Sequence, residues 1–272
     1  MSLTLPAQII LALEILFVLT GCLLLARHVF SSAGRQIARQ RAAAMPAWSI
    51  SVPDFFLFLF CVFMGGVAAQ LIASMIVSPS EVELALSIVV HGGAFHAGML
   101  AGVILFRGVL KREPRSDRSS ANRLPQGFAT LLIALPLLAT TGLIWQALMN
   151  GLGVELQEQD LIGIFAETKS PVLLGCMVFL AVVIAPITEE LIFRAGIFRY
   201  LRTRLPRWAA LLVPALLFAG LHGNLASFAP LTMLGIIFSL AYERTGSIAV
   251  PIIAHGLFNL NTIVLILAGL GM

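Results

Sequence analysis

Long apolar segments alternate with short polar loops along most of the chain. A membrane-spanning helix needs about 20 predominantly apolar residues, and eight segments reach or approach that length. They cover residues 7–26, 55–77, 84–106, 128–148, 171–193, 208–222, 228–242 and 248–270, of which the sixth and seventh are short. The pattern predicts an all-α fold, a polytopic transmembrane helix bundle with about eight spans.

The amino-acid composition supports a membrane protein. Apolar residues make up 59% of the 272 residues and charged residues 11%, against about 45–50% and about 25% in a soluble domain. The first apolar segment follows a stretch without basic residues, and no small-residue cleavage pattern follows it. We therefore expect a retained span rather than a cleaved signal peptide.

Basic residues are concentrated in three of the predicted loops. These are Arg27, Arg35, Arg39 and Arg41; Arg107, Lys111, Arg112, Arg115, Arg118 and Arg123; and Arg199, Arg202, Arg204 and Arg207. Eight spans place all three clusters on one side of the membrane. Because loops rich in Lys and Arg stay in the cytoplasm, we expect both termini and the acidic loop 151–170 to be external.

This topology also accounts for the net charge of +4, so no nucleic-acid partner is expected. The 17 basic residues include only two lysines, a bias that favours a bacterial inner membrane.

We interpret residues 1–272 as a single transmembrane domain. Residues 1–126, with three spans and the basic loops, form a less informative front half, whereas residues 171–267 carry nearly all the reactive side chains.

Ionisable groups inside membrane spans are costly and indicate function, and three of the last four spans contain them. The fifth span ends in Glu189-Glu190-Leu-Ile-Phe-Arg194, the sixth in Phe218-Ala-Gly-Leu-His222, and the eighth contains His255-Gly-Leu-Phe-Asn259. Residues four apart share a helix face. Each pattern therefore predicts a pair of side chains that project in one direction.

The spacing from helix breaks predicts that these pairs converge. A break is expected at Leu205-Pro206, since the residue before proline resists helical geometry. Glu189 lies 16 residues before Leu205, and His222 lies 16 residues after Pro206. On antiparallel helices the two side chains should therefore lie at the same depth. The pair on the eighth span lies at a comparable depth beyond a second break, at Gly246.

The converging groups suit amide hydrolysis. A carboxylate beside an imidazole can deprotonate a water molecule, and a second imidazole with an amide can donate hydrogen bonds to an oxyanion. The three aspartates, Asp54, Asp117 and Asp160, fall at span edges or in loops, so a two-aspartate site inside the membrane is not expected. The sequence contains no HExxH and no GxSxG motif.

The three motifs EExxxR, FxxxH and HxxxN, in this order on successive helices, resemble those of the CAAX prenyl protease and bacteriocin-processing (CPBP, Abi) family of intramembrane proteases. The resemblance covers about residues 172–267. It implies that Glu189 and His222 activate water, that His255 and Asn259 form the oxyanion site, and that Glu190 and Arg194 support them. It also implies an intramembrane endopeptidase active near the cytoplasmic side. Its substrate would be a prenylated CAAX tail in a eukaryotic setting, or a peptide or membrane protein in a bacterium.

Two alternatives remain open at this stage. Catalytic zinc usually has three protein ligands, and Glu189, His222 and His255 would meet that count. However, no HExxH presets zinc geometry, and Asn259 is a poor zinc ligand, so we expect hydrolysis without a cofactor and keep zinc as the alternative. A non-catalytic immunity or scaffold protein with the same motif residues is the second alternative.

Two further histidines lie in the third span. His91 and His96 are five residues apart, which places them about 140° apart around a helix. This spacing gives a poor face for two metal ligands. We expect polar packing among the neighbouring small residues, which allow close helix approach.

Overall fold

The computed structural model describes residues 3–34, 36, 45–110, 123–156 and 160–270. Eight apolar helices dominate this part of the chain: α1 Leu5–Phe30, α2 Val52–Ile76, α3 Leu84–Gly108, α4 Arg123–Gly151, α5 Pro171–Arg202, α6 Arg207–Leu221, α7 Leu225–Thr245 and α8 Ala249–Leu267. A short helix, Asp160–Glu167, precedes α5.

The predicted all-α polytopic bundle is confirmed. Seven of the eight helices are long and apolar enough to cross a membrane, so the chain is an integral, multi-pass membrane protein. The eighth, α6, has only 15 residues and is about 22 Å long, shorter than the hydrocarbon layer of about 30 Å. Helix α6 is therefore too short to cross the membrane on its own, and His222 directly follows its last residue.

The helix ends follow from local chemistry. Ser51, Ser170 and Asn224 precede α2, α5 and α7, and their side-chain oxygens accept hydrogen bonds from backbone N–H groups of the first turn, which would otherwise lack partners. Pro206 directly precedes α6. Gly246 ends α7 with φ of 68°, a left-handed conformation that glycine adopts without a steric cost. Both predicted breaks are confirmed.

Small residues allow α2 and α3 to pack closely. A Cβ on Gly98 would collide with the carbonyl oxygen of Gly65, and a Cβ on Gly102 with that of Cys61. Elsewhere in the bundle, α4 contacts α1, α7 and α8, whereas α5 contacts both α3 and α8. Helix α5 is thereby enclosed by neighbours on more than one side, which is where the candidate site lies.

Several arginines gather at one end of the bundle, which we call the basic end (Arg107, Arg199, Arg202, Arg204 and Arg207). Glu243 of α7 pairs with Arg202 and with Arg207, each at 2.7 Å. Arg199 donates to the carbonyl oxygen of Pro46 at 2.9 Å and that of Ala47 at 3.1 Å. The predicted cluster residues Arg35, Arg39, Arg41, Lys111, Arg112, Arg115 and Arg118 lie outside the described residues.

Candidate active site

The Glu-Glu sequence lies on an α-helical segment of α5 between two π-helical stretches. The α-helical segment is Ala185–Ile192, and the π-helical stretches are Leu180–Ile184 and Phe193–Phe198. Each π-helical stretch changes the direction in which the next side chains point, and such stretches occur often at functional sites. The two glutamates are thus oriented by irregular turns on both sides.

Pro186 explains how α8 is attached to this part of α5. The N–H of Ala185 donates to Leu180 in the π-helical pattern, and residue 186, being proline, has no N–H to donate. The carbonyl oxygen of Ala181 therefore lacks a partner within its own helix. The side-chain amide of Asn259 donates to it at 2.7 Å, which fixes Asn259 against α5.

A close approach between the same two helices occurs at Gly256. A Cβ at this position would lie 2.5 Å from the carbonyl oxygen of Val182, closer than real Cβ atoms approach. Only glycine lets the backbone of α8 come this near to α5. The approach brings His255 within reach of the glutamates.

A buried ionic cluster joins Glu190, Arg194 and His255. Arg194 Nη1 donates to Glu190 Oε1 at 2.7 Å, one turn along the same helix, so the ion pair predicted from their spacing is present. His255 Nδ1 lies 2.9 Å from the same oxygen. The exposed fractions are 0% for Glu190, 1% for Arg194 and 3% for His255, so almost no water screens these charges.

Aromatic rings and a backbone carbonyl complete the surroundings of Arg194. Its guanidinium carbon lies 4.7 Å from the ring centroid of Phe218 and 5.3 Å from that of Phe238, an arrangement that stabilises a cation. Nη2 also donates to the carbonyl oxygen of Gly235 at 3.3 Å. Phe218 thus packs against the cluster.

Glu189 lies beside this cluster and differs from Glu190 in its exposure. Its side chain is 18% exposed, and Oε2 lies 3.7 Å from Nε2 of His255. That distance is too long for a direct hydrogen bond. The imidazole of His255 therefore contacts Glu190 through one nitrogen and faces Glu189 with the other.

His222 lies on the other side of Phe218. The rings of Phe218 and Phe193 are 5.3 Å apart, which sets the register between the antiparallel helices α5 and α6. Glu189 precedes Phe193 by one turn and His222 follows Phe218 by one turn, so the two side chains lie at a similar depth, as predicted. The Nδ1 atom of His222 is 2.7 Å from the carbonyl oxygen of Phe218.

The two histidines of α3 differ. His91 Nδ1 lies 2.9 Å from the carbonyl oxygen of Ser87, and Nε2 lies 3.0 Å from that of Val77, which agrees with the expected polar packing. His96 instead has a buried Nδ1 without a hydrogen-bond partner, and the charge of Glu189 acts on its imidazole. The sequence interpretation, which treated the two histidines alike, missed this difference.

The structure thus brings Glu189, Glu190, Arg194 and His255 into one cluster and places Asn259 one turn beyond it. Within the described residues, no three His, Cys, Asp or Glu side chains are arranged so that they could hold a metal ion. The alternative zinc set of Glu189, His222 and His255 is therefore not gathered around one point here. Hydrolysis without a metal stays a prediction.

Comparisons with known proteins concern the same part of the chain. A family model described as type II CAAX prenyl endopeptidase Rce1-like matches residues 171–261. "Putative membrane peptidase YdiL" of Bacillus subtilis is 35% identical over 91 residues, which cover 34% of this chain and 36% of that protein. "UPF0177 protein YbdI" of Lactococcus lactis is 35% identical over 86 residues, 31% of this chain and 46% of that protein.

The matched segments span less than half the length of these curated relatives. No solved structure matches the chain. The matched residues 171–261 nevertheless contain all three motifs and every residue of the buried cluster. Through this segment, which is less than half of the chain, the protein is similar to the type II CAAX prenyl endopeptidase Rce1-like family.

Proposed function

We propose that this protein is an intramembrane endopeptidase that hydrolyses a peptide bond with a water molecule activated by Glu189. One observation carries the proposal: a partly exposed carboxylate lies 3.7 Å from an imidazole whose opposite nitrogen is held by a buried Glu-Arg pair. Hydrolysis needs hydrogen-bond donors held in place beside the carboxylate that activates water. Such donors stabilise the negative charge of the transition state without having to reorganise during the reaction.

The contacts of the cluster support a donor role for His255. Glu190 Oε1, which accepts a hydrogen bond from Arg194, lies 2.9 Å from Nδ1 of His255 and holds the ring in place. Nε2 then faces Glu189, and we propose that it donates a hydrogen bond to a substrate oxygen there.

Asn259 and His222 complete the set. One amide N–H of Asn259 is used by the carbonyl oxygen of Ala181, and the second is free to donate. His222 Nδ1 faces the carbonyl oxygen of Phe218, which can only accept, so in the neutral imidazole Nε2 carries the lone pair. His222 can therefore accept a hydrogen bond from the water molecule and orient it toward the substrate.

The reaction then proceeds in two steps. Glu189 removes a proton from the water molecule, and the water oxygen attacks the carbonyl carbon of the scissile bond. The carbonyl oxygen becomes negative and accepts hydrogen bonds from His255 and Asn259. When the C–N bond breaks, the proton held by Glu189 passes to the leaving nitrogen, which yields a carboxyl end and an amine end. These steps require no metal, and we propose metal-independent hydrolysis.

The position of Glu189 supports a substrate that reaches into the bundle. Glu189 lies inside α5, an apolar helix long enough to cross a membrane, rather than in a loop. We propose a peptide or membrane-protein substrate, with or without a lipid, and a bilayer orientation in which the basic end faces the cytoplasm. In that orientation both termini are external, and we propose a location in a bacterial inner membrane.

The test is cleavage by the purified protein in proteoliposomes. Two reporters are offered, a fluorogenic peptide with a farnesylated CAAX end and an unlipidated single-span membrane protein. We expect cleavage of at least one reporter, and a loss of about 10²–10⁴-fold in Glu189→Gln because positioned acid–base groups contribute that much. Glu81→Gln, at an exposed position, is the matched control and should retain wild-type turnover.

Two results would contradict the proposal. Cleavage of neither reporter by folded wild-type protein would favour a non-catalytic immunity or scaffold protein. Normal turnover in Glu189→Gln would remove Glu189 from the mechanism.

A further inference from the structure

Helix α3 carries two histidines with different hydrogen bonding. Both ring nitrogens of His91 have partners, whereas Nδ1 of His96 has none. His91 is buried, and each of its ring nitrogens contacts a backbone carbonyl oxygen. His96 is only half-buried, and its Nδ1 is enclosed without any partner. A buried polar atom without a partner is uncommon, so the two histidines of α3 differ in their surroundings.

Two contacts define the register between α3 and α5. A Cβ on Gly92 would lie 3.4 Å from the side chain of Leu180, and Arg107 Nη2 donates to the carbonyl oxygen of Ala195 at 2.7 Å. In both pairs the partners are 88 positions apart in the sequence. The two helices therefore run parallel with a constant offset.

This register brings His96 to the candidate active site. His96 lies one turn beyond Gly92 and shares its face, which is the face toward α5. The same offset places His96 level with Ile184, five residues before Glu189, or about 7.5 Å along the helix axis. The charge of Glu189 reaches the imidazole of His96, which agrees with this placement.

The unpaired nitrogen also determines where His96 carries its proton. A buried N–H without an acceptor is rarer than a buried acceptor without a donor. Nδ1 of His96 therefore holds a lone pair, and the proton resides on Nε2. The half-buried ring of His96 then presents a single N–H donor. This donor lies farther from the basic end than Glu189 does.

We propose that His96 binds the substrate through a hydrogen bond from Nε2–H to a backbone carbonyl about two residues from the scissile bond. An extended peptide advances about 3.3 Å per residue, so an offset of about 7.5 Å from Glu189 corresponds to two residues. The donor holds the substrate backbone on the side of α3, opposite α8. This inference rests on the proposed peptidase function and adds a substrate-binding residue to it.

The test separates substrate binding from chemistry. KM and kcat are measured on whichever reporter the wild type cleaves. His96→Leu should raise KM about tenfold, because a hydrogen bond made equally in ground and transition states contributes about that factor, and should change kcat less than twofold. His96→Gln places an amide nitrogen close to the position of Nε2 and should restore KM to within about threefold. His96→Asn, whose amide is shorter, should not restore it.

The matched control is His91→Gln on the same helix. Because both ring nitrogens of His91 are already engaged, by Ser87 and by the carbonyl oxygen of Val77, this variant should lower the melting temperature while the folded fraction keeps the wild-type KM. A direct binding measurement uses fluorescence anisotropy of the same reporter peptide on Glu189→Gln protein, which binds without cleaving. Adding His96→Leu to that protein should weaken binding about tenfold.

The outcomes distinguish this inference from the proposed function. If the wild type cleaves and Glu189→Gln does not, but His96→Leu keeps the wild-type KM and binding, only the role of His96 is overturned. A loss confined to kcat, or equal rescue by Asn and Gln, would also overturn it. If the wild type cleaves no reporter, the proposed function itself fails.

Discussion

Replacing Arg194 with methionine tests whether the buried cluster is held together by charge. The change keeps an unbranched side chain of moderate size but leaves Glu190, which is 0% exposed, with only His255 as a partner. Removing one member of a buried ion pair typically costs about 3–5 kcal/mol. We expect a loss of that size in the free energy of unfolding, measured in detergent with a chemical denaturant.

A double-mutant cycle shows where the loss arises. In Glu190→Gln/Arg194→Met the neutral amide needs no cation, so the double variant should be more stable than Arg194→Met alone by at least about 1 kcal/mol. The control is Arg202→Met, which breaks an ion pair whose arginine is 30% exposed and should cost less than about 1 kcal/mol. A cost below 1 kcal/mol for Arg194→Met, or additive losses in the cycle, would refute the reasoning.

Three other predictions follow from the helix contacts and the charge pattern. Gly256→Ala should lower the melting temperature because its Cβ would lie 2.5 Å from the carbonyl oxygen of Val182, whereas Gly175→Ala, with open space around it, should not. Asn259→Ala should reduce turnover about 10²–10³-fold, the usual cost of one oxyanion donor; turnover within tenfold of wild type would remove Asn259 from the oxyanion site. A cysteine replacing Arg115 in a cysteine-free background should be labelled only from the cytoplasmic side, and external labelling would reverse the orientation.

The helices could be predicted from the sequence because membrane spans require long apolar segments. The breaks at Pro206 and Gly246 were predictable too, since each depends on the backbone limits of one residue. The helix boundaries were less accurate: α7 has 21 residues, longer than the apolar segment 228–242 indicates. At its C-terminal end the helix continues through Glu243, because Arg202 and Arg207 of the basic end pair with this residue.

The site was predictable only where one helix determines it. The pairing of Glu190 with Arg194 follows from their spacing of four residues. The contact of Glu190 with His255 depends on the π-helical stretches of α5 and on the close approach at Gly256. The bond from Asn259 to the carbonyl oxygen of Ala181 depends on the combination of a π-helical stretch with Pro186. Such contacts between helices leave no periodic signal in the sequence.

In the proposed mechanism, Glu189 activates a water molecule that attacks the substrate without a covalent intermediate. The decisive measurement is a single-turnover reaction in water enriched in ¹⁸O, after exhaustive chelation of metals. We expect cleavage at the undiminished rate, with ¹⁸O in the new carboxyl end of the product and none in Glu189, both read by mass spectrometry. Cleavage that stops on chelation and returns with zinc, or ¹⁸O incorporated into Glu189, would contradict it.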